Sequence, residues 1–380
     1  MDSQDPSPRP DYPSSVPPPP PVIPPPIISA RTSPRGGSGR GWRIFAVILL
    51  VLFALTFLGN FFSDGRVAVK SRRFGHKLER PLEEIVVEER NSSAKIALIE
   101  VNGVISGDSL DRSGLTLVEL VSAQFKAAAD DHQVKAVILK VDSPGGEVLA
   151  SDEINKIIQQ FQKETSKPVV ASMGALAASG GYYVSVPCQW IVANELTLTG
   201  SIGVIMHGYN LRGLMDKLGI QPQTYKSGQF KDMMSMDKKE EDITSEERAL
   251  VQNLVNETFI KFKTVVQEGR AQANKRRPNG QSLSADWTDY ADGRILSGKQ
   301  AFDHGFVDEL GNFQAAVDRA EQLAGIQKAN LIEYRQPFNL GSLFRLFGKG
   351  ETPAVKIDLG GNALRLKAGH LYFLMPTVLR

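Results

Sequence analysis

Ser179 stands in Met173–Tyr183, MGALAASGGYY, crowded by small residues: Gly174, Ala175, Ala177 and Ala178 before it, Gly180 and Gly181 after it. An apolar stretch of strand character, Pro168–Ser172, precedes this run, and a segment able to begin a helix follows. A serine at a strand-to-helix junction presents its side chain with unsatisfied backbone N–H groups close behind it. These features suit a nucleophile that attacks a carbonyl and then holds an oxyanion. A tight glycine turn packed on a sheet is the alternative. A serine hydroxyl also needs a base. Of the five histidines, His76, His132, His304 and His370 lie in charged, helix-end or tail positions, and His207 alone falls near the strand ends after Ser179. Lysine is the other choice. A free lysine, with a pKa of about 10.4, is a poor base at neutral pH, but burial away from carboxylates lowers that value by several units. Lys226 and Lys231 stand in YKSGQFKDMM, where Phe230, Met233 and Met234 give Lys231 apolar neighbours. A plain surface lysine is the competing reading.

The elements that must position these groups alternate between strand and helix. Strands are expected at Ile96–Val101, Ala136–Val141, Val169–Ser172, Trp190–Ala193, Gly203–Met206 and Leu331–Tyr334. Helices are expected at Leu117–Ala129, Glu147–Gln162, Lys299–His304 and Asn312–Ala324. Thr244 and Glu247 form a capping box that opens a long helix to about Arg270, with Val251, Leu254, Val255, Phe259, Phe262 and Val266 as its buried stripe. Strand–helix repetition with short connections predicts an α/β fold built on βαβ units. Asp142–Gly146, DSPGG, and the serine turn both follow strands, which sets them on the same rim, where α/β folds bind ligands. Residues 271–284 read as a polar loop and Leu340–Phe347 as a short apolar helix; Leu371–Leu379 is apolar, proline-broken and too short to span a bilayer.

Ahead of these elements the composition changes. Residues 1–40 hold 13 of the 22 prolines, too many for a packed core, so a proline-rich leader over 1–43 is expected to be extended or disordered. Ile44–Phe62 is apolar for about one membrane thickness and predicts a single transmembrane helix; no small-residue cleavage site follows it. Basic residues flank it on both sides, so charge does not orient it. Residues 63–93 read as a linker or a short amphipathic helix with Leu82, Ile85 and Val86 on one face, followed by a domain over 94–336 and an extension over 337–380. A formal net charge of +2 argues neither for nucleic acid nor for an acidic substrate, and no nucleic-acid partner is expected; the single cysteine, Cys188, excludes an intramolecular disulfide framework and a cysteine-rich zinc site. Its apolar neighbours mark it as a core thiol.

KVDSPGGEV, MGALAASGGYY, LTGSIGVI, YKSGQFKDMMS and DGRILSGKQAFDHGFVDELG occur in this order. Together they resemble the signal peptide peptidase A (protease IV) family of membrane-anchored serine–lysine peptidases, in its short single-copy form, over roughly residues 94–325. The resemblance implies the fold of ββα units shared by Clp protease and the crotonases. It implies Ser179 as nucleophile, Lys231 as general base, Ser201 as the serine that orients the lysine, and Gly146 with Gly180 as oxyanion donors. It implies no metal or cofactor, and peptide substrates that include cleaved signal peptides. It implies a homo-oligomeric ring in which Lys231 completes a neighbour's site, anchored in membrane lipid with the catalytic domain on the extracytoplasmic face. The long proline-rich leader departs from the short leaders of the family. Two rival classes are an acyl-CoA enzyme on the same fold, which needs neither Ser179 nor Lys231, and a catalytically silent oligomeric membrane scaffold.

Overall fold

A computed structural model of the chain describes residues 82–108, 115–276, 280–336 and 370–375. The leader, the candidate membrane segment Ile44–Phe62, residues 63–81 of the linker and Leu340–Phe347 lie outside the described residues. Among the described residues, no helix is long and apolar enough to cross a membrane.

The elements in chain order are β1 (Glu83–Glu88), β2 (Lys95–Asn102), α1 (Leu117–Asp130), β3 (Val134–Ser143), β4 (Gly145–Glu147), α2 (Val148–Thr165), β5 (Val169–Ala178), α3 (Gly180–Ser185), β6 (Trp190–Ala193), β7 (Leu198–Gly200), β8 (Ile205–Met206), α4 (Arg212–Lys217), α5 (Ser245–Arg276), β9 (Ile295–Ser297), α6 (Gly298–Asp303), β10 (Glu309–Leu310), α7 (Phe313–Ala324), β11 (Asn330–Arg335) and β12 (Leu371–Leu374). The fold is mixed α/β. The main sheet runs β1-β11-β2-β3-β5-β6-β10. Its members from β11 to β10 are parallel, and β1 joins the edge antiparallel. The isoleucine- and valine-rich runs of β2 and β3 suit strands covered on both faces, and their apolar residues are almost fully buried. One face packs against α1, α2, α3 and α5 through a core that includes Val121, Phe125, Ile154, Ile158 and Phe262. The other packs against α7 through Ala316, Val317 and Ala320.

Local signals set the helix ends. Thr116 and Glu119 close a capping box on α1, Asn312 caps α7, and Gly325 ends α7 in the left-handed conformation. Thr244 and Glu247 exchange the two hydrogen bonds of their box.

Four expectations are corrected. Glu83–Glu88 is a strand on β11, not a linker or a helix, and every residue of it is exposed. Helix α5 continues to Arg276, six residues into the expected loop, and 280–284 are not helical. Of its expected stripe only Phe262 and Val266 are buried; Val251, Val255 and Phe259 are half-buried and Leu254 is exposed. Strand β5 runs on to Ala178 instead of ending at Ser172. The apolar tail forms β12, a strand between β4 and β8.

Candidate active site

Ser179 owes its position to a strand pinned twice. The first half of β5 pairs with β6 up to Ser172, and its second half pairs with β7 from Leu176. Between them the Thr197 hydroxyl donates to the Gly174 carbonyl at 2.8 Å, and the Leu176 N–H donates to the Asp142 carboxylate at 3.0 Å. The Thr199 hydroxyl donates to the Ala177 carbonyl at 2.7 Å. The Ser179 N–H then donates to the Gly200 carbonyl at 2.8 Å. Ser179 itself has φ 54° and ψ −114°, a backbone state that a residue with a side chain adopts only when its surroundings force it. Helix α3 starts at the next residue, so the expected strand-to-helix junction is present.

α3 is clamped from several sides. The Tyr182 hydroxyl donates to the Phe306 carbonyl at 3.0 Å, the Tyr183 hydroxyl to Asp152 at 2.8 Å, and the Asn155 amide to the Tyr183 carbonyl at 2.8 Å. Burial, with Asp152 beside it, pushes the Tyr183 phenol up. The sequence reading missed Asp152 and Asn155. Their signal was polar residues on the same stretch of α2 as the core residues Ile154 and Ile158.

The second glycine turn meets the first, as expected from their shared rim. The Ser143 hydroxyl accepts the Gly145 N–H at 3.1 Å, and Gly145 has φ +98°. Gly146 is pressed against Ile105, where a Cβ would come within 1.9 Å of the carbonyl oxygen. A Cβ on Gly180 would lie 3.1 Å from the Gly146 nitrogen and 3.0 Å from the Gly145 Cα. Only glycine allows such an approach. Gly146, Gly180 and Ser179 are thus brought together. Ser201 joins them through the chain, one residue beyond the Gly200 carbonyl that holds the Ser179 N–H; it is buried, has φ 49°, and donates its N–H to Arg294 at 2.7 Å.

Lys231 is not brought in. It lies in an exposed turn, its N–H bonded to the Gly228 carbonyl at 3.2 Å. The expectation of a dry surrounding is not met within one chain, since Phe230 and Met233 are only half-buried and Met234 is exposed. Lys231 enters no ion pair among the described residues, whereas Lys226 is held by Asp232 at 2.8 Å. Asp232 in turn faces Lys238, which also pairs with Glu247. The Lys226 contact holds the Asp232 carboxyl below its usual range. His207 packs edge-on against Tyr209, with ring centroids 4.9 Å apart. The Ser179 hydroxyl is buried and, among the described residues, has no hydrogen-bond partner. Among the described residues, neither lysine nor histidine therefore reaches it within one chain.

Cys188 is a buried free thiol, as expected, with burial raising its pKa. The sequence reading overlooked the buried ion pair between Arg270 of α5 and Asp308.

The sequence pattern of Peptidase family S49 matches residues 161–327. An Enterococcus faecium protein named for signal peptide peptidase SppA is 38% identical over 256 residues, 66% of this chain and 70% of that protein. A Synechocystis protein named as a protease is 36% identical over 61% of this chain and 75% of its own length. Protease 4 of Haemophilus influenzae is 32% identical over 65% of this chain and 38% of its own length.

Proposed function

The chain belongs to Peptidase family S49 and is a serine-type peptidase, and from that premise we propose that Ser179 is its nucleophile and Lys231, supplied by a second copy of the chain, its general base. The observation that carries this reading is the Ser179 hydroxyl: buried, on a strained backbone, beside Gly146 and Gly180, and without a partner among the described residues. The family membership favours peptide hydrolysis over the acyl-CoA and scaffold readings.

The neutral Lys231 amine takes the Ser179 proton as Oγ attacks a peptide carbonyl. The same lysine protonates the leaving amine, and water hydrolyses the resulting ester. The Gly146 and Gly180 N–H groups hold the oxyanion, where losing one donor raises a barrier by about 3–4 kcal/mol. Ser201 orients the lysine. No metal or cofactor takes part.

The copies close into a ring, and the domain has the crotonase/Clp-protease-like fold. Apolar side chains exposed around the lysine segment, among them Leu214, Leu218, Ile220, Tyr225 and Leu254, support an association of this kind. Ile44–Phe62 anchors the chain in the cell membrane with the peptidase domain, 94–336, outside the cytoplasm. Substrates are apolar peptides close to the lipid, cleaved signal peptides among them.

Ser179→Ala and Lys231→Ala are each expected to abolish hydrolysis of a signal-peptide-like substrate while leaving assembly intact. An active Lys231→Ala together with an inactive His207→Ala would overturn the lysine assignment.

A further inference from the structure

No buried residue holds the segment that carries Lys231. From Gly203 to Glu246 every residue is exposed or half-buried, and the next buried one is Glu247, in the first turn of α5. Hydrogen bonds tie the far end of the segment back towards its start: the Leu211 N–H donates to the Met236 carbonyl at 2.7 Å, and the Asn210 amide to the Lys238 carbonyl at 3.0 Å. Apolar burial therefore does not set the shape of this segment. Its charges are arranged to do so.

Four side chains form a line of ion pairs. Lys226 donates to both carboxylate oxygens of Asp232, at 2.8 and 2.9 Å, and to the Gln229 carbonyl at 3.2 Å, which closes a loop over residues 226–232. Asp232 also faces Lys238 at 3.4 Å, and Lys238 pairs with Glu247. The second Glu247 oxygen accepts the Thr244 N–H at 3.1 Å, so the line ends on the capped start of α5. Side-chain exposure falls along it, from 37% at Lys226 to 14% at Asp232, 11% at Lys238 and 4% at Glu247. The inner links are thus shielded, and shielded ion pairs are screened far less than those on the open surface.

Lys231 sits inside this arrangement without joining it. It directly precedes Asp232, its own N–H donates to the Gly228 carbonyl at 3.2 Å, and the Met233 N–H donates to the Phe230 carbonyl at 3.0 Å, so turns run on both sides of it. Both oxygens of the neighbouring carboxylate are taken by Lys226. A lysine that serves as a base needs its amine kept out of an ion pair, and it must arrive in register with the group it deprotonates.

We propose that Asp232 is the positioning residue of the general base: anchored to α5 through Lys238 and Glu247, and gripped from the other side by Lys226, it fixes the turn that presents Lys231 to the Ser179 of a second copy. The proposal rests on the assignment of Lys231 as base. A displacement of about 1 Å at a reacting group lowers a rate about 100-fold. Loss of the anchor therefore falls on kcat. Ser179 and the glycine turns belong to a separate part of the chain, so KM is held.

The test uses the full chain in detergent micelles, with a signal-peptide-like substrate. Asp232→Ala and Lys238→Met are each expected to lower kcat about 100-fold, with KM within about twofold of the unsubstituted chain. Lys238→Arg, which keeps the charge, is expected to recover most of that loss. Gel filtration is expected to show unchanged assembly; if Asp232→Ala does not assemble, the isosteric Asp232→Asn carries the kinetic test. The turn itself is read separately. Cys188, the single cysteine, is buried, so Lys231→Cys supplies the one thiol open to a nitroxide label. Adding Asp232→Ala is expected to sharpen the label's spectrum as it gains freedom. Unchanged kcat in both variants, a Lys238→Arg as slow as Lys238→Met, or an unaltered spin-label spectrum overturns the proposal. Full activity in Lys231→Ala would instead count against the lysine assignment, so the two failures are told apart.

Discussion

Arg270 and Asp308 form an ion pair with almost no access to solvent: their side chains are 1% and 0% exposed. The pair ties α5 to the segment after α6, and the other Asp308 oxygen accepts the Ile191 N–H at 2.9 Å, reaching into β6. Removing one partner strands a buried charge. Arg270→Met is expected to lower stability by about 3–5 kcal/mol, seen as a lower urea midpoint. Adding Asp308→Leu should recover part of that loss, although the Ile191 N–H then lacks its acceptor.

Gly145 tolerates no side chain. Its φ of +98° strains any other residue, and a Cβ would press on the Phe373 carbonyl and the Gly180 nitrogen. Gly145→Ala is expected to cost about 2–3 kcal/mol of stability. It should also lower kcat/KM about 100-fold, because a shift of about 1 Å at a reacting centre has that size of effect. Melting temperature and steady-state rates check both parts.

Cys188 reports global unfolding. Burial raises its pKa, so the thiolate that alkylating reagents need is scarce and inaccessible. Iodoacetamide labelling should be negligible in buffer and should rise along the same urea curve as circular dichroism. Rapid labelling of the folded protein would contradict this packing.

The proposed sharing of sites between copies makes a complementation prediction. Ser179→Ala and Lys231→Ala are each expected to be inactive alone and to regain turnover when unfolded together and co-assembled. If the lysine instead acts within its own chain, the mixture stays inactive.

The box at the start of α5 gives a smaller effect. Thr244→Ala removes the acceptor of the Glu247 N–H and should destabilise the chain by about 1 kcal/mol. Thermal denaturation measures it.

What the sequence made legible was short-range. The strand–helix alternation, the capping residues and the two glycine turns are set by neighbours a few positions apart, and the structure has them. Features that depend on distant partners were not legible. Glu83–Glu88 has no inward-facing side, so its pattern gave no strand period; it becomes a strand only because β11, far along the chain, offers an edge. The stripe of α5 was read as buried throughout because periodicity records an apolar face without recording what meets it. Arg270 escaped notice because its charge is matched by Asp308 from a later segment. Within the candidate site, Ser179, Gly146 and Gly180 were singled out from their motifs and lie together, with Ser201 one residue beyond the carbonyl that holds the Ser179 N–H. The reach of Lys231 could not be read from its neighbours, because Phe230 and Met233 do not cover it in one chain.

The crowding of Gly145, Gly146 and Gly180 bears on how homologues are interpreted. Three backbones drawn from separate turns leave no space for one another's side chains, so this arrangement serves folding whether or not a reaction follows. A homologue that had lost its serine would still be under pressure to retain all three. Surveys that infer hydrolytic competence from glycine signatures alone would therefore count inactive descendants among the enzymes, and the proposed nucleophile at position 179 is the safer marker.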